Sequence, residues 1–284
     1  MPPGSELSYA RRMSASVLRA AVIQLNSQDQ VQGNLRQCAV LTQQAAEQGA
    51  RLVLLPENFA YFGSSRGRAE VAEDLSEHGP IMEALRTLAR AAQVTLIAGG
   101  MPERSSDAAR PFNTAVAINP QGELIAHYRK IHLFDVDLSG GQAYRESAST
   151  SPGTGPVVVE VDGWRVGLSI CYDLRFPELY RALIDRGAEL VVVPAAFTRA
   201  TGTDHWHPLL QARAIEGQCW MMAAAQWGEH PGNRQTFGHS MVIDPWGTVV
   251  AELPDGVGVQ CADLDPQRLH DVRQRLPSLR HRRL

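Results

Sequence analysis

Lysine is almost absent from this chain of 284 residues. Its 27 basic residues are 26 arginines and a single lysine, Lys130. Arginine replaces lysine well as a solubilising surface cation, but its planar guanidinium cannot replace a compact ammonium in a tight pocket. Lys130 is therefore a candidate functional residue, and the alternative is that it merely survived a compositional bias.

Cysteine is also scarce, and its spacing excludes two kinds of site. The four cysteines are far apart and form no CxxC pair: Cys38, Cys171, Cys219 and Cys261. Neither a zinc-binding cysteine cluster nor a disulfide framework is predicted.

Histidine offers only a weak metal pattern. His205 and His207 stand in the segment HWH, but a third and a fourth ligand at suitable spacing are missing from the sequence around them. Packing or hydrogen bonding is the favoured role for this pair. We predict no metal and no organic cofactor.

Long apolar runs and an excess of charge are missing as well. The longest apolar segments, such as residues 190–197, have the length of a strand and are too short to cross a bilayer. The net charge of −3 argues against an electrostatic nucleic-acid binder. With 44% hydrophobic and 20% charged residues, the chain is neither disordered nor fibrous. We expect a globular protein with no membrane and no nucleic-acid partner.

The first residues differ in character from the rest. Residues 1–16 lack the apolar segment of a secretory signal. Arg11 and Arg12 among serines faintly resemble a transit peptide, but a flexible leader is favoured. No later break in composition indicates a linker, so we predict one domain over residues 17–284, located in the cytoplasm.

Strand-like apolar segments alternate with amphipathic segments along the chain. The predicted strands include residues 17–25, 51–56, 94–100, 164–170, 190–194 and 220–226. The predicted helices are residues 34–48, 81–92, 177–186 and 208–218. Turn signals at residues 120–122, 162–163 and 244–247 predict hairpins. The pattern predicts an α/β domain with mixed sheets.

Three reactive side chains follow predicted strands. Glu57 comes after RLVLLP, Lys130 after a hairpin and Cys171 after RVGLSI. Because ligands and catalytic groups collect at the carboxyl ends of strands in α/β sheets, we expect these side chains to be close together. Cys171 also precedes a predicted helix, where the backbone N–H of Tyr172 can face an oxyanion and the helix N-terminus lowers the pKa of a thiol.

These residues fit nucleophilic catalysis, but simpler roles compete. A thiol needs a base, which Glu57 can supply, and Lys130 can stabilise a tetrahedral oxyanion. A cysteine at the end of a buried strand is, however, more often inert core, and a glutamate after a strand is often a helix cap. The residues alone leave the Glu–Lys–Cys arrangement as a hypothesis.

The segments LLPENF, YRKIHLFD and GLSICYDLRFPELYR occur in this order and resemble the signatures of the nitrilase, or carbon–nitrogen hydrolase, superfamily. The resemblance runs from about residue 18 to residue 283. It implies that Glu57 is the general base, Lys130 the oxyanion-stabilising cation and Cys171 the nucleophile. It also implies that Glu146, in YRESAST, is a second glutamate that orients the substrate and the lysine.

The same resemblance implies a fold and an assembly. The expected fold is a four-layer α-β-β-α sandwich in which two mixed sheets pack face to face. Members usually pair, so a homodimer or a higher homo-oligomer is expected.

Other segments narrow the resemblance. RESASTSPG, AAAQWGEH and RQTFGHSMVIDPWG are similar to the deaminated glutathione amidase branch. That branch hydrolyses the amide of deaminated glutathione, giving 2-oxoglutarate and cysteinylglycine, through a thioester on the cysteine. The alternatives are an omega-amidase acting on 2-oxoglutaramate, a nitrilase proper, and a non-catalytic binding protein on the same fold. A non-catalytic protein should have lost at least one member of the triad, and all three are present.

Further residues are candidates for the pocket. Arg175 lies four positions after the nucleophile and either clamps a substrate carboxylate or forms a salt bridge that supports the turn. Phe197 and Thr198 follow a strand that faces the same end and are predicted to line the pocket. Asp173, beside the nucleophile, is expected to be a structural hydrogen-bond acceptor.

Overall fold

The computed structural model describes residues 16–76, 79–137 and 143–283. The predicted leader lies outside these residues except for its last member, Ser16. None of the helices in the described ranges has the length and apolarity that a membrane crossing requires.

The described residues form sixteen strands. They are β1 Leu18–Gln24, β2 Leu52–Leu55, β3 Thr95–Glu103, β4 Phe112–Ile118, β5 Leu124–Arg129, β6 Asp135–Asp137, β7 Ala143–Arg145, β8 Val157–Val161, β9 Trp164–Leu168, β10 Leu190–Ala195, β11 Trp220–Ala225, β12 Trp227–His230, β13 Arg234–Phe237, β14 Met241–Ile243, β15 Val249–Glu252 and β16 Gly258–Leu264.

The helices lie between them. They are α1 Val31–Glu47, α2 Ser65–Glu70, α3 Pro80–Ala92, α4 Pro177–Asp185, α5 Arg199–Gly217, α6 Pro266–Arg275 and α7 Ser278–His281, with 3₁₀ turns at Glu146–Ala148 and Cys171–Arg175.

The first sheet has the order β16-β1-β2-β3-β4-β5. Strands β1, β2 and β3 run parallel, and the other pairs are antiparallel. Helices α1 and α3 cover its outer face and bury apolar side chains such as Cys38, Leu41 and Leu85. Because both faces of β1, β2 and β3 are covered, these strands are continuous apolar runs in the sequence.

The second sheet has the order β15-β14-β11-β10-β9-β8. Strands β9, β10 and β11 are parallel, and the outer pairs are antiparallel. Helices α4 and α5 cover its outer face, with Leu179, Leu183 and Leu210 in the core.

The two sheets pack directly on each other. A Cβ on Gly99 of β3 would lie 2.0 Å from Cγ of Pro194 in β10, so the close approach requires glycine at this position. The backbone N–H of Leu25 also donates to the carbonyl of Ala225, 3.3 Å away in the other sheet. The layers therefore run α-β-β-α, and the predicted four-layer sandwich with two mixed sheets is confirmed.

One local prediction was wrong, and one hairpin was missed. Residues 208–218 were expected to form a helix, but α5 begins nine residues earlier, capped by the side chain of Thr198. Pro208 lies inside this helix, although proline is usually found in a first turn. The hairpin of β12 and β13 was not predicted. Its turn places Gly232 and Asn233 at φ values of 78° and 55°.

Candidate active site

The candidate catalytic side chains meet in one cavity of about 500 Å³. Glu57 lies two residues beyond β2, Lys130 follows β5 directly and Cys171 comes three residues after β9. These strands belong to both sheets, and their carboxyl ends open into the same space. The structure therefore brings together Glu57, Lys130, Cys171 and Glu146, which are far apart in sequence.

Both oxygens of the buried Glu57 carboxylate have partners. Oε1 accepts hydrogen bonds from Nζ of Lys130 at 3.0 Å and from Nδ2 of Asn113 at 2.9 Å. Oε2 accepts from the backbone N–H of Ala196 at 3.0 Å. Every one of these partners is a donor, so the geometry matches an ionised carboxylate fixed in one orientation.

Lys130 is buried between two carboxylates. Its Nζ donates to Glu57 and to both oxygens of Glu146, at 3.0 and 2.9 Å. Burial would lower the pKa of this lysine, but Glu146 and Glu57 outweigh that effect and raise it above its usual range. The ammonium therefore stays charged at neutral pH.

The carboxylate of Glu146 accepts hydrogen bonds from other groups besides Lys130. Its Oε2 accepts from the backbone N–H of Phe134 at 2.7 Å, and its Oε1 from Asn113 at 3.3 Å. Burial would raise its pKa, but Lys130, the backbone N–H of Phe134 and the charge of Arg68 together lower it. Glu146 is thus ionised at neutral pH and holds Lys130 in place.

Cys171 adopts an unusual backbone conformation with φ of 48°, in the left-handed region. Burial and the neighbouring Glu57 raise the pKa of its thiol well above the usual value, and Lys130 only partly opposes them. The expectation that the helix N-terminus lowers this pKa was therefore wrong. In the cavity, desolvation and the carboxylate outweigh the effect of a 3₁₀ turn of five residues.

Sequence reasoning missed Asn113. Its side-chain amide donates to both Glu57 and Glu146, and its Oδ1 is buried without a partner. Gly100, at φ of 64°, makes room: a Cβ there would lie 2.3 Å from Oδ1 of Asn113 and 2.9 Å from Cγ of Glu57. An amide side chain inside the apolar strand FNTAVAI was the available signal, because buried polar groups need partners.

The predicted pocket residues Tyr172, Arg175, Phe197 and Thr198 all line the cavity. The guanidinium of Arg175 lies 5.2 Å from the ring centroid of Phe197 and 6.0 Å from that of Tyr172. Among the described residues it forms no ion pair with a carboxylate, so no such contact supports the salt-bridge alternative there. Its one side-chain hydrogen-bond partner there is Nδ1 of His205, at 3.3 Å.

The two histidines of the HWH segment, His205 and His207, have different partners in the structure. His205 turns to Arg175, whereas Nε2 of His207 lies 2.9 Å from Oε1 of Glu252, which also lies 2.7 Å from Nδ1 of His239. These two partners are remote in sequence, so the spacing around HWH could not reveal them. One ligand atom from each of His207, His239 and Glu252 lies within 4.8 Å of the others, so tertiary structure supplies the third potential metal ligand that the sequence around HWH lacks. These three residues are not among those that line the cavity.

Comparisons with known proteins agree with this geometry. The carbon–nitrogen hydrolase family matches residues 19–274. The chain is 46% identical over 266 residues to the deaminated glutathione amidase of Synechocystis sp. (strain PCC 6803 / GT-S), covering 93% of this chain and 97% of the relative.

Two solved structures have the same fold. The Caenorhabditis elegans NitFhit protein is 39% identical with a TM-score of 0.89, and the match covers 95% of this chain and 66% of that longer one. A mutant amidase from Nesterenkonia sp. AN1, in which acrylamide has added to the active-site cysteine, is 29% identical with a TM-score of 0.77, over 92% of this chain and 99% of that one. The matched span, the shared fold and the clustering of Glu57, Lys130 and Cys171 lead to one conclusion: this chain belongs to the carbon–nitrogen hydrolase family.

Proposed function

We propose that this protein is an amidase that hydrolyses deaminated glutathione to 2-oxoglutarate and cysteinylglycine. The observation that carries the proposal is the contact of Lys130 with both Glu57 and Glu146 beside the thiol of Cys171, in one cavity. The substrate follows from the similarity to deaminated glutathione amidases at 40–46% identity.

The acylation half of the reaction starts from a neutral thiol. Because the pKa of Cys171 is raised, the thiolate forms only as Glu57 accepts the proton. The sulfur then attacks the amide carbon. The ammonium of Lys130 and the backbone N–H of Tyr172 stabilise the oxyanion, as preorganised donors do. Glu57 next protonates the amine of cysteinylglycine, which leaves, and the acyl group remains on Cys171 as a thioester.

Hydrolysis of the thioester completes the cycle. Glu57 accepts a proton from a water molecule as that water attacks the thioester carbon, and the same donors hold the second oxyanion. The thiolate leaves and recovers its proton from Glu57. Glu146 touches no reacting bond in this scheme. Its role is to keep Lys130 charged and in place. Each proton is carried by the chain's own residues, so the scheme needs no metal.

Arg175 is proposed to bind the carboxylate of the 2-oxo acid. It lies on the same 3₁₀ turn as Cys171 and forms no ion pair within the described residues. The ring of Phe197 holds the guanidinium over the cavity, and Thr198 offers a hydroxyl on the same wall. A carboxylate can accept two parallel hydrogen bonds from a guanidinium.

A substrate panel tests the proposal. Purified protein is incubated with deaminated glutathione, 2-oxoglutaramate and glutathione, and 2-oxoglutarate release, or dipeptide release for glutathione, is measured at equal, subsaturating concentrations. Deaminated glutathione should have the highest kcat/KM. Glutathione should be poor because its ammonium replaces the keto oxygen near the cations of the site. Faster turnover of 2-oxoglutaramate would favour an omega-amidase instead.

The working environment and assembly are part of the proposal. We propose the cytoplasm, because the four cysteines are all free in the structure and a reducing compartment keeps thiols in that state. We also propose a homodimer or higher homo-oligomer. Trp246 and Ile215 are half exposed, and Gly247, next to Trp246, lies against Ile215, so both side chains offer neighbouring apolar surface to a second copy. Light scattering on the wild type and on Trp246→Ser tests this assembly.

A further inference from the structure

The cavity carries more positive charge than the triad needs. Within the described residues, five cations and two carboxylates line it: Lys130, Arg68, Arg145, Arg175 and Arg234, with Glu57 and Glu146. Lys130 is occupied by both glutamates, and Arg145 pairs with Asp137 at 2.6 Å. Three guanidinium groups remain that form no ion pair with any described carboxylate.

Arg68, on α2, is the most enclosed of these three. Its Nη1 donates to Oδ1 of Asn58 at 3.1 Å, while its Nε is buried without a hydrogen-bond partner. Its charge interacts with those of Glu146 and Glu57, which places it near the reacting centre. Nη2 donates to the carbonyl of Phe112 at 3.5 Å, so the donor left without an acceptor is Nε. An unpaired buried donor is costly, and this arrangement fits a site completed by an anionic ligand.

Arg234, the first residue of β13, stands beside the same segment. Its Nη1 donates to the carbonyl of Gly63 at 2.9 Å, and its guanidinium lies 5.6 Å from the ring centroid of Phe62. Within the described chain, Nε and Nη2 have no acceptor. They remain available to a ligand in the cavity.

Arg234 and Arg175 occupy different parts of the cavity. Thr236 of β13 pairs with Thr198, next to Phe197, on which Arg175 packs. Arg234 lies two residues before Thr236, at the start of β13 and roughly 6.6 Å away. It is anchored at Gly63, in the loop that leads to Arg68. The cations are thus divided between the wall that carries Arg175 and the wall formed by residues 58–68.

We propose that Arg234 and Arg68 form a second carboxylate subsite, which binds the carboxylate of the amine half of the substrate. This inference rests on the proposed function, because deaminated glutathione carries one carboxylate on each side of its amide. In an extended form these carboxylates are about 10 Å apart, three residue lengths, so one cation site cannot serve both. The subsite selects amides with an anionic leaving group over primary amides, whose leaving group is ammonia.

The test compares deaminated glutathione with its glycinamide analogue, in which the terminal carboxylate is a neutral amide. The measured quantity is the ratio of the two kcat/KM values. We expect the wild type to favour the acid at least about tenfold, the range of a charge-assisted hydrogen bond. Arg234→Gln and Arg68→Gln should each bring the ratio close to one, and Arg234→Lys should restore part of it.

Arg66→Gln is the matched control, since Arg66 lies on the same helix but is exposed and paired with Glu70. It should keep the wild-type ratio. A wild-type ratio in both Arg234→Gln and Arg68→Gln would overturn the subsite while leaving the proposed function intact. If the wild type cleaved neither compound but cleaved other amides, the proposed function would fail and the inference with it. If Arg234→Gln failed to fold, Arg68→Gln and Arg234→Lys would decide.

Discussion

Asp173 connects the nucleophile's turn to the segment that carries the lysine, through His132. Oδ1 of Asp173 accepts the backbone N–H of His132 at 3.1 Å and lies 2.7 Å from Nδ1 of the same residue. Oδ2 accepts the backbone N–H of Ile170 at 2.9 Å and the hydroxyl of Tyr128 at 2.7 Å. The prediction that Asp173 is a structural acceptor is confirmed. Its carboxylate fixes Cys171 relative to Lys130 across the two sheets.

Asp173→Asn should therefore damage catalysis through position. The amide has one acceptor oxygen in place of two, so at least one buried donor loses its partner. We expect the free energy of unfolding to fall by about 1–3 kcal/mol. We also expect kcat to fall about tenfold with little change in KM, because substrate contacts remain. Chemical denaturation and steady-state kinetics measure the two effects. Tyr128→Phe, which removes one donor and keeps the carboxylate, is the control and should cost less in both.

Lys130→Arg tests why the chain keeps its one lysine. The positive charge remains, but a planar guanidinium does not fit between Glu57 and Glu146, where Nζ makes three contacts of 2.9–3.0 Å. Turnover should fall at least about 100-fold, the effect of losing one oxyanion donor. Near-normal turnover of deaminated glutathione would mean that Lys130 is only a remnant of arginine-rich composition.

The reactivity of the thiols should follow their environments. Since burial and Glu57 raise the pKa of Cys171, its rate of alkylation by iodoacetamide should keep rising above pH 9 and show no plateau near neutrality. Modification should abolish activity, and substrate should protect. Mass spectrometry identifies the alkylated residue. Cys219→Ala is the control, because that buried cysteine lies outside the cavity and the variant should inactivate at the wild-type rate. Inactivation through Cys219 with Cys171 unmodified would refute the assignment.

Arg175→Gln should act mainly on binding. If the guanidinium holds the remote carboxylate of the 2-oxo acid, its loss weakens the ground state and the transition state alike, so KM rises while kcat changes little. We expect about a tenfold rise in KM for both deaminated glutathione and 2-oxoglutaramate, since both carry that carboxylate. A fall in kcat at constant KM would instead place Arg175 in the positioning of the Cys171 turn.

Stability should decline in mild acid partly through His230. This buried ring hydrogen-bonds the carbonyl of Ser27 and the hydroxyl of Thr236, and desolvation lowers its pKa below 6.5. In the unfolded chain the ring binds a proton near pH 6.5, but in the folded protein it does so only at lower pH. The contribution of His230 to the free energy of unfolding is therefore complete above pH 6.5 and is lost as the pH falls below that value. Denaturation curves at pH 7.5 and 5.5 measure the slope, which should be smaller in His230→Gln. An unchanged slope would mean that other groups dominate.

The sequence by itself indicated an α/β domain with mixed sheets, and its resemblance to a known family implied the four layers and the reactive groups. Continuous apolar runs such as residues 190–195 specify strands covered on both faces, and the segments around Glu57, Lys130 and Cys171 carry a family signature. These signals are local, since each depends on neighbours within about ten positions. For the same reason, local signals misplaced the start of α5 at Pro208, where packing against β11 and β13 sets the helix.

Tertiary structure alone decided how the groups act. The high pKa of the Cys171 thiol depends on burial and on Glu57, which is 114 positions away in the chain. Asn113, Ala196 and Asp173 gain their roles from strands of two different sheets that end at the same place. Arg234 lies on a hairpin and Arg68 on a short helix, and both line the cavity. Neither local sequence indicates that the two residues lie in the same cavity. Desolvation and charge–charge interactions act through space, so a pattern of neighbours in sequence cannot encode them.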